Sequence, residues 1–170
     1  MDAYLTIVSK REVRDYADRP IDPDARRRIL EAGRVSGSST NKQQWRFVVV
    51  ESEDKRTRLA DMVYTPGNIR GAKLIVVVVM HGGGRASFDA GRTSQNMMLA
   101  AWNEGIGSCP NGMPDTEAVG DMFGLHTGEE PAIILTFGYP ARPVDPEQRT
   151  PHEWIERANR KPFDEVVETV

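Results

Sequence analysis

Leu74-Ile75-Val76-Val77-Val78-Val79-Met80 is an unbroken run of apolar, mostly β-branched residues. It has the length of a strand and falls well short of the roughly 20 residues that a membrane-spanning helix needs. With no polar residue at alternate positions, it reads as a strand buried on both faces. Gly82-Gly83-Gly84 interrupts it, and from Phe88 to Glu104 the residues Ala90, Gly91, Met97, Met98, Ala100, Ala101 and Trp102 leave almost no charged face. That segment suits a helix at the centre of the molecule or in a subunit interface.

Upstream, Phe47-Val48-Val49-Val50 reads as a second buried strand, and Ser52 can cap a helix running through Met62. Thr65-Pro66-Gly67-Asn68 carries turn chemistry. Asp22-Pro23-Asp24 joins a capping side chain, a proline suited to the first helical position and a favourable negative charge, which predicts a helix ending near Gly33. Downstream come a turn from Gly105 to Pro114, a short helix from Asp115 to Phe123 and a strand from Ala132 to Phe137. Thr150-Pro151 opens a helix with Glu153 at the capping-box position, and Lys161 to Val170 has the weak period of an extended arm. Interspersed helices and strands imply a central sheet with helices around it.

No linker-like stretch divides the 170 residues, so one domain over 1–170 is expected. Apolar residues at 39% and charged residues at 28% exclude a disordered chain. A net charge of -3 gives no long-range attraction for nucleic acid, and Arg26-Arg27-Arg28 sits in a helical pattern as a solvated face. Met1 to Lys10 lacks the order of a signal peptide, which points to the cytosol. Cys109 is the single cysteine, and His81, His126 and His152 are far apart, so neither a disulfide nor a metal site is expected.

Four segments supply groups suited to an anionic, aromatic ligand. Ser9-Lys10-Arg11-Glu12-Val13-Arg14 places three cations within five residues, as a phosphate site or a basic surface turn. Ser38-Ser39-Thr40-Asn41-Lys42-Gln43-Gln44-Trp45 offers hydroxyls and amides for neutral hydrogen bonds, or is a polar loop before a core tryptophan. Gly105-Ile106-Gly107-Ser108-Cys109-Pro110-Asn111-Gly112 lets backbone approach a flat ligand, or is a plain connection. Arg160-Lys161-Pro162 adds two cations near the chain end, or is a solvated tail.

In this order the segments resemble the nitroreductase family over nearly the whole chain. The opening motif of that family is kept by Lys10, Arg11, Val13, Arg14 and Tyr16, with Glu12 in place of a serine. Its second motif is kept by Ser38, Asn41, Gln43 and Trp45, with Gly37 and Gln44 where prolines are usual. Asp89, Gly91, Gln95, Asn96, Leu99, Ala100, Gly105, Gly107, Leu125, Gly138-Tyr139-Pro140 and the stretch from Arg160 to Val166 follow the pattern as well.

The resemblance implies an α+β fold, a three-layer α/β/α sandwich around a mainly antiparallel sheet, with domain-swapped arms in a homodimer. It implies an FMN-dependent oxidoreductase that moves a hydride from NADH or NADPH through the flavin to a nitroaromatic, quinone or similar acceptor by a ping-pong mechanism. Lys10, Arg11 and Arg160, with Lys161 beside them, would hold the FMN phosphate, and Arg14 would lie at the pyrimidine edge. There a cation stabilises the negative charge that reduction brings, and no side-chain acid or base is required. Ser38, Ser39 and Asn41 would come from the other subunit, Gln43 would also bind the cofactor, and Asn111 and Gly112 would offer backbone contacts near the flavin N5 nitrogen. The helix from Phe88 to Glu104 and the terminal arm would form the dimer interface. A deazaflavin in place of FMN, a protein that stores flavin and catalyses little, and a member with an interaction role alone are the alternatives. No Gly-x-Gly-x-x-Gly follows a strand, so the choice between NADH and NADPH is not encoded in a nucleotide-binding motif.

Overall fold

The computed structural model describes residues 1–82 and 86–170. Gly83 and Gly84, in the expected glycine break, lie outside the described residues, as does Arg85. The chain forms two compact units, residues 11–144 on the one hand and residues 1–10 with 145–170 on the other.

In the larger unit the strands β1 (Trp45–Val49), β2 (Leu74–His81), β3 (Gly107–Asn111) and β4 (Glu129–Gly138) make one sheet in the order β1-β2-β4-β3, every pair antiparallel. The apolar run at 74–80 occupies an interior position, and alternation along it divides the core in two. Leu74, Val76, Val78 and Met80 face a cluster with Ile29 of α2 (Pro23–Arg34) and Met97, Met98 and Ala101 of α5 (Ala86–Asn103). Ile75, Val77 and Val79 face Leu59 of α3 (Glu53–Ala60), Ile69 of α4 (Pro66–Gly71) and Val119 of α6 (Thr116–Phe123). Helices therefore cover both faces of the sheet, the α/β/α layering that the resemblance implies. Among the described residues no helix is long and apolar enough to cross a membrane.

Caps set the helix starts as the sequence suggests. Asp22 Oδ1 accepts from the amides of Asp24 and Ala25, and Ser52 Oγ accepts from Lys55 N. Arg28 pairs with Glu104 and Arg26 with Glu51, so the arginine run of α2 is a solvated, ion-paired face.

Two expectations are corrected. Thr65 to Asn68 does not make an isolated turn: Pro66 starts α4, where its fixed φ and missing N–H suit the first turn. Gly105 to Pro114 is not a turn throughout, because residues 107–111 pair with β4. Pro110 is tolerated because β3 is an edge strand and the proline, exposed, has no amide to contribute to an outer neighbour.

The smaller unit holds α1 (Ala3–Ser9), capped by Asp2, and α7 (Pro151–Glu156). The predicted capping box is present: Thr150 Oγ1 accepts from Glu153 N, and Glu153 Oε2 accepts from Thr150 N at 2.8 Å. Trp154 donates from Nε1 to Pro146 O at 2.9 Å under the Arg149 guanidinium. The arm from Lys161 to Val170 is exposed throughout and contains one 3-10 turn, Phe163–Glu165.

At one end of the sheet Arg46 of β1 reaches past β2 to grip both carboxylate oxygens of Glu129, and His126 N donates to Oε2 at 2.9 Å. The Arg46 hydrogen bond, then that of the His126 amide, hold the Glu129 carboxyl down to about 2, against 4.5 for the ordinary group. A depressed folded value means stability that is complete above 4.5 and is lost as the pH falls towards 2. Unfolding free energy measured by denaturant titration is expected to fall across that window, and Glu129→Gln is expected to remove part of the slope. An unchanged slope would show that the pair contributes nothing.

Candidate functional site

The basic segment that follows Lys10 lies along the outer edge of β3. Glu12 bridges Ser108 in parallel fashion, and Val13 N donates to Ser108 O at 3.0 Å. The segment has a seat because Gly107 and Gly138 are register partners and neither carries a side chain. A Cβ at Gly107 would lie 2.5 Å from Val13 Cβ, and one at Gly138 would lie 2.8 Å from the Tyr16 ring. Tyr16 bridges Pro140, and its hydroxyl reaches Thr136 O at 3.2 Å and Thr136 Oγ1 at 3.0 Å. Burial pushes the Tyr16 phenol well up, so it stays protonated and acts as a donor. Between these anchors Arg11 is half-buried and Arg14 exposed.

β3 ends at Asn111, whose side chain is 3% exposed and bonded on every side. Its Nδ2 donates to Cys109 O, Thr136 Oγ1 and Ile134 O at 2.9, 3.1 and 3.3 Å, and its Oδ1 accepts from Asn68 Nδ2 at 2.7 Å. Gly112, next in sequence, is exposed, and its carbonyl accepts from Tyr64 N. A Cβ there would press on the Tyr64 ring at 3.3 Å.

The hydroxyl and amide loop lies elsewhere on the sheet. Ser39, Asn41 and Gln43 are exposed and Ser38 is half-buried, its Oγ accepting from Gln43 N at 2.8 Å. Thr40, Asn41 and Gln43 all have positive φ (49°, 54° and 51°), a backbone conformation that side-chain-bearing residues seldom adopt. The polar face of α5 holds the start of this loop, through Thr93 Oγ1 to Gly33 O at 2.7 Å and Asn96 Nδ2 to Ser36 Oγ at 2.8 Å. Ser108 pairs across β4 towards Leu74, whereas Trp45 pairs with Met80. Four strand spacings, three within the sheet and one out to the segment, and six residues of rise put the loop and the basic segment about 28 Å apart, at opposite corners of the sheet.

In the smaller unit Lys10 caps α1 and is half-buried, and Arg160 and Lys161 are exposed, with Arg160 donating to Ala158 O at 2.7 Å. The structure thus brings Arg11, Arg14, Asn111 and Gly112 to β3, gathers Ser38, Ser39, Asn41 and Gln43 at the other corner, and carries Lys10, Arg160 and Lys161 on the second unit. As a donor set, cations, an exposed glycine backbone beside an aromatic ring, and neutral hydroxyls and amides suit a flat cofactor with a phosphate tail.

The sequence profile of the nitroreductase family matches residues 7–83 and 70–139. The chain belongs to the nitroreductase family. An NADH dehydrogenase of Thermus thermophilus is 24% identical over 194 residues, 91% of this chain and 95% of its own. Among solved structures, a nitroreductase family protein of Clostridium difficile superposes with a TM-score of 0.81 at 22% identity, over 99% of this chain and 98% of that one. The NADPH:FMN oxidoreductase of Vibrio harveyi, solved with NAD+, gives 0.81 at 21% identity, over 96% and 75%.

The chain departs from the family pattern at two prolines, and the structure shows what surrounds each position. The guanidinium of Arg92, paired with the buried carboxylate of Asp89 at 3.6 Å, lies where a Cβ of Gly37 would sit, 2.4 Å from it. A proline ring there would require the Arg92 side chain, 43% exposed, to move aside. Gln44 exchanges bonds with β2, donating from Nε2 to His81 O at 2.7 Å and accepting from His81 N at 2.9 Å, and a proline could make only the second. Sequence reasoning missed Asn68, Tyr64 and Thr136. Asn68 lay in an apparent turn and the other two in no motif.

Proposed function

We propose that this nitroreductase is an FMN-dependent oxidoreductase that works in the cytosol as a homodimer, one FMN-binding domain of residues 1–170 per chain. It takes a hydride from NADH or NADPH and passes it to a nitroaromatic, quinone or similar acceptor in two half-reactions. The observation that carries this reading is the separation of the two donor groups: one flavin cannot touch both corners of the same sheet. Each corner is half of a site, and a second copy supplies the other half. The Vibrio harveyi NADPH:FMN oxidoreductase, alike in fold, supports the cofactor and the reductant.

Bound FMN supplies the hydride-carrying chemistry. Lys10, Arg11, Arg160 and Lys161 neutralise the phosphate. Arg14 places a fixed cation at the ring edge where negative charge accumulates, and Asn111 and Gly112 present backbone to the ring near N5. Ser38, Ser39, Asn41 and Gln43 of the partner close the site with neutral hydrogen bonds, which bind without offsetting the cations.

The test is a visible spectrum of the purified protein with mass determination of the released chromophore, followed by anaerobic addition of NADPH or NADH. A yellow protein that releases FMN and bleaches within seconds is expected. A yellow protein that does not bleach would instead be a flavin store, and a colourless one that stays so with added FMN would have an interaction role alone.

A further inference from the structure

We infer that Asn68 is a positioning residue for the cofactor site: its buried carboxamide fixes the direction of the peptide between Asn111 and Gly112. The inference rests on the reading above, in which that peptide faces the flavin. Asn68 is 3% exposed on α4, and beside its bond to Asn111 its Nδ2 lies 3.6 Å from Cys109 Sγ.

The Asn111 amide can point only one way. Its NH2 faces the carbonyls of Cys109 and Ile134 and the hydroxyl of Thr136, so its oxygen must turn to residue 68. A donor is therefore required there. Thr136 Oγ1 donates to Cys109 O at 3.0 Å, so towards Asn111 and Tyr16 it can only accept. Tyr16, kept protonated by burial, meets that demand. One chain of hydrogen bonds thus runs from α4 through Asn111 and Thr136 to the segment that carries Arg14, and it holds the two proposed ring contacts in a common frame. Gly112 has no side chain of its own; its carbonyl is held by Tyr64 N, and the peptide that precedes it takes its direction from Asn111.

Asn68→Asp keeps the shape and replaces the donor with an acceptor. Either two oxygens then face each other, or the Asn111 amide flips and turns its oxygen on two carbonyls. The experiment compares wild type with Asn68→Asp and the milder Asn68→Ser. The readouts are the Gly112 amide resonance of the flavin-free protein, the visible spectrum with FMN, and anaerobic reduction by NADPH at saturating FMN. The expected result is a shifted or doubled Gly112 resonance and a reduction rate about tenfold lower, with the apparent KM for NADPH changed less than about threefold. Wild-type resonance, spectrum and rate in both variants would overturn the inference, as would failure of both to fold, which would make Asn68 a residue of the fold alone. If wild type itself binds no flavin, the proposed function falls while the Gly112 resonance still decides the role of Asn68.

Discussion

Gly107→Ala is expected to lower the unfolding free energy by about 2 to 3 kcal/mol, the upper range for overpacking a tight site, and the thermal midpoint by about 6–8 °C for a chain of this size. The reason is specific to the contact. The added methyl would meet Val13 Cβ at 2.5 Å and both of its methyl carbons within 2.8 Å. Because Val13 Cβ is itself too close, rotating or trimming the side chain cannot relieve the clash. Val13→Ala should therefore fail to rescue Gly107→Ala, whereas Val13→Gly should restore most of the midpoint. The same overlap lifts the basic segment from β3 and breaks the bond from Val13 N to Ser108 O. The displaced Arg11 and Arg14 should then weaken FMN binding at temperatures where the variant remains folded. Thermal unfolding and flavin titration check both parts. A variant with the wild-type midpoint would show that the segment is not seated on these glycines.

The sequence announces the centre of this molecule more clearly than its edges. The run at 74–80 and the charge-poor helix after it are legible because burial on both faces leaves no place for polar residues. The starts at Asp22, Ser52 and Thr150 are legible because capping is local chemistry. β3 is not: Gly-Ser-Cys-Pro-Asn has none of the β-branched or aromatic residues that mark strands, and its pairing comes from β4. α4 is hidden for a related reason, since Pro-Gly-Asn-Ile-Arg-Gly favours a turn and only packing of the buried Ile69 extends it into a helix. At the site, charge density exposes Arg11 and Arg14, but nothing local pairs Gly107 with Gly138, 31 positions away, or Asn68 with Asn111. Such partners are brought together by the sheet register. The positive φ values at Thr40, Asn41 and Gln43 are equally invisible, because none of these residues is a glycine.

Mixing two inactive variants is expected to restore activity. Arg14→Ala removes the cation at one corner of the sheet, and Ser38→Ala with Asn41→Ala removes the neutral donors at the other. In the proposed dimer each site takes one corner from each chain, so a homodimer of either variant has two damaged sites. A heterodimer concentrates both defects in one site and leaves the other whole. If subunits exchange at random, half of the dimers are mixed and half of their sites are intact, so about a quarter of wild-type activity should return. Neither variant alone should exceed a few per cent, since losing a cation fixed beside developing charge costs on the order of a hundredfold. Activity after unfolding and co-refolding of an equimolar mixture, compared with the two variants refolded separately, measures the effect. If each chain instead built a complete site from its own residues, both defects would remain damaging wherever they occurred and the mixture would give only the mean of the two variants. The outcome turns on the roughly 28 Å between the corners: at that separation the two groups cannot share a flavin within a chain, and only exchange of halves between chains can recreate an undamaged site.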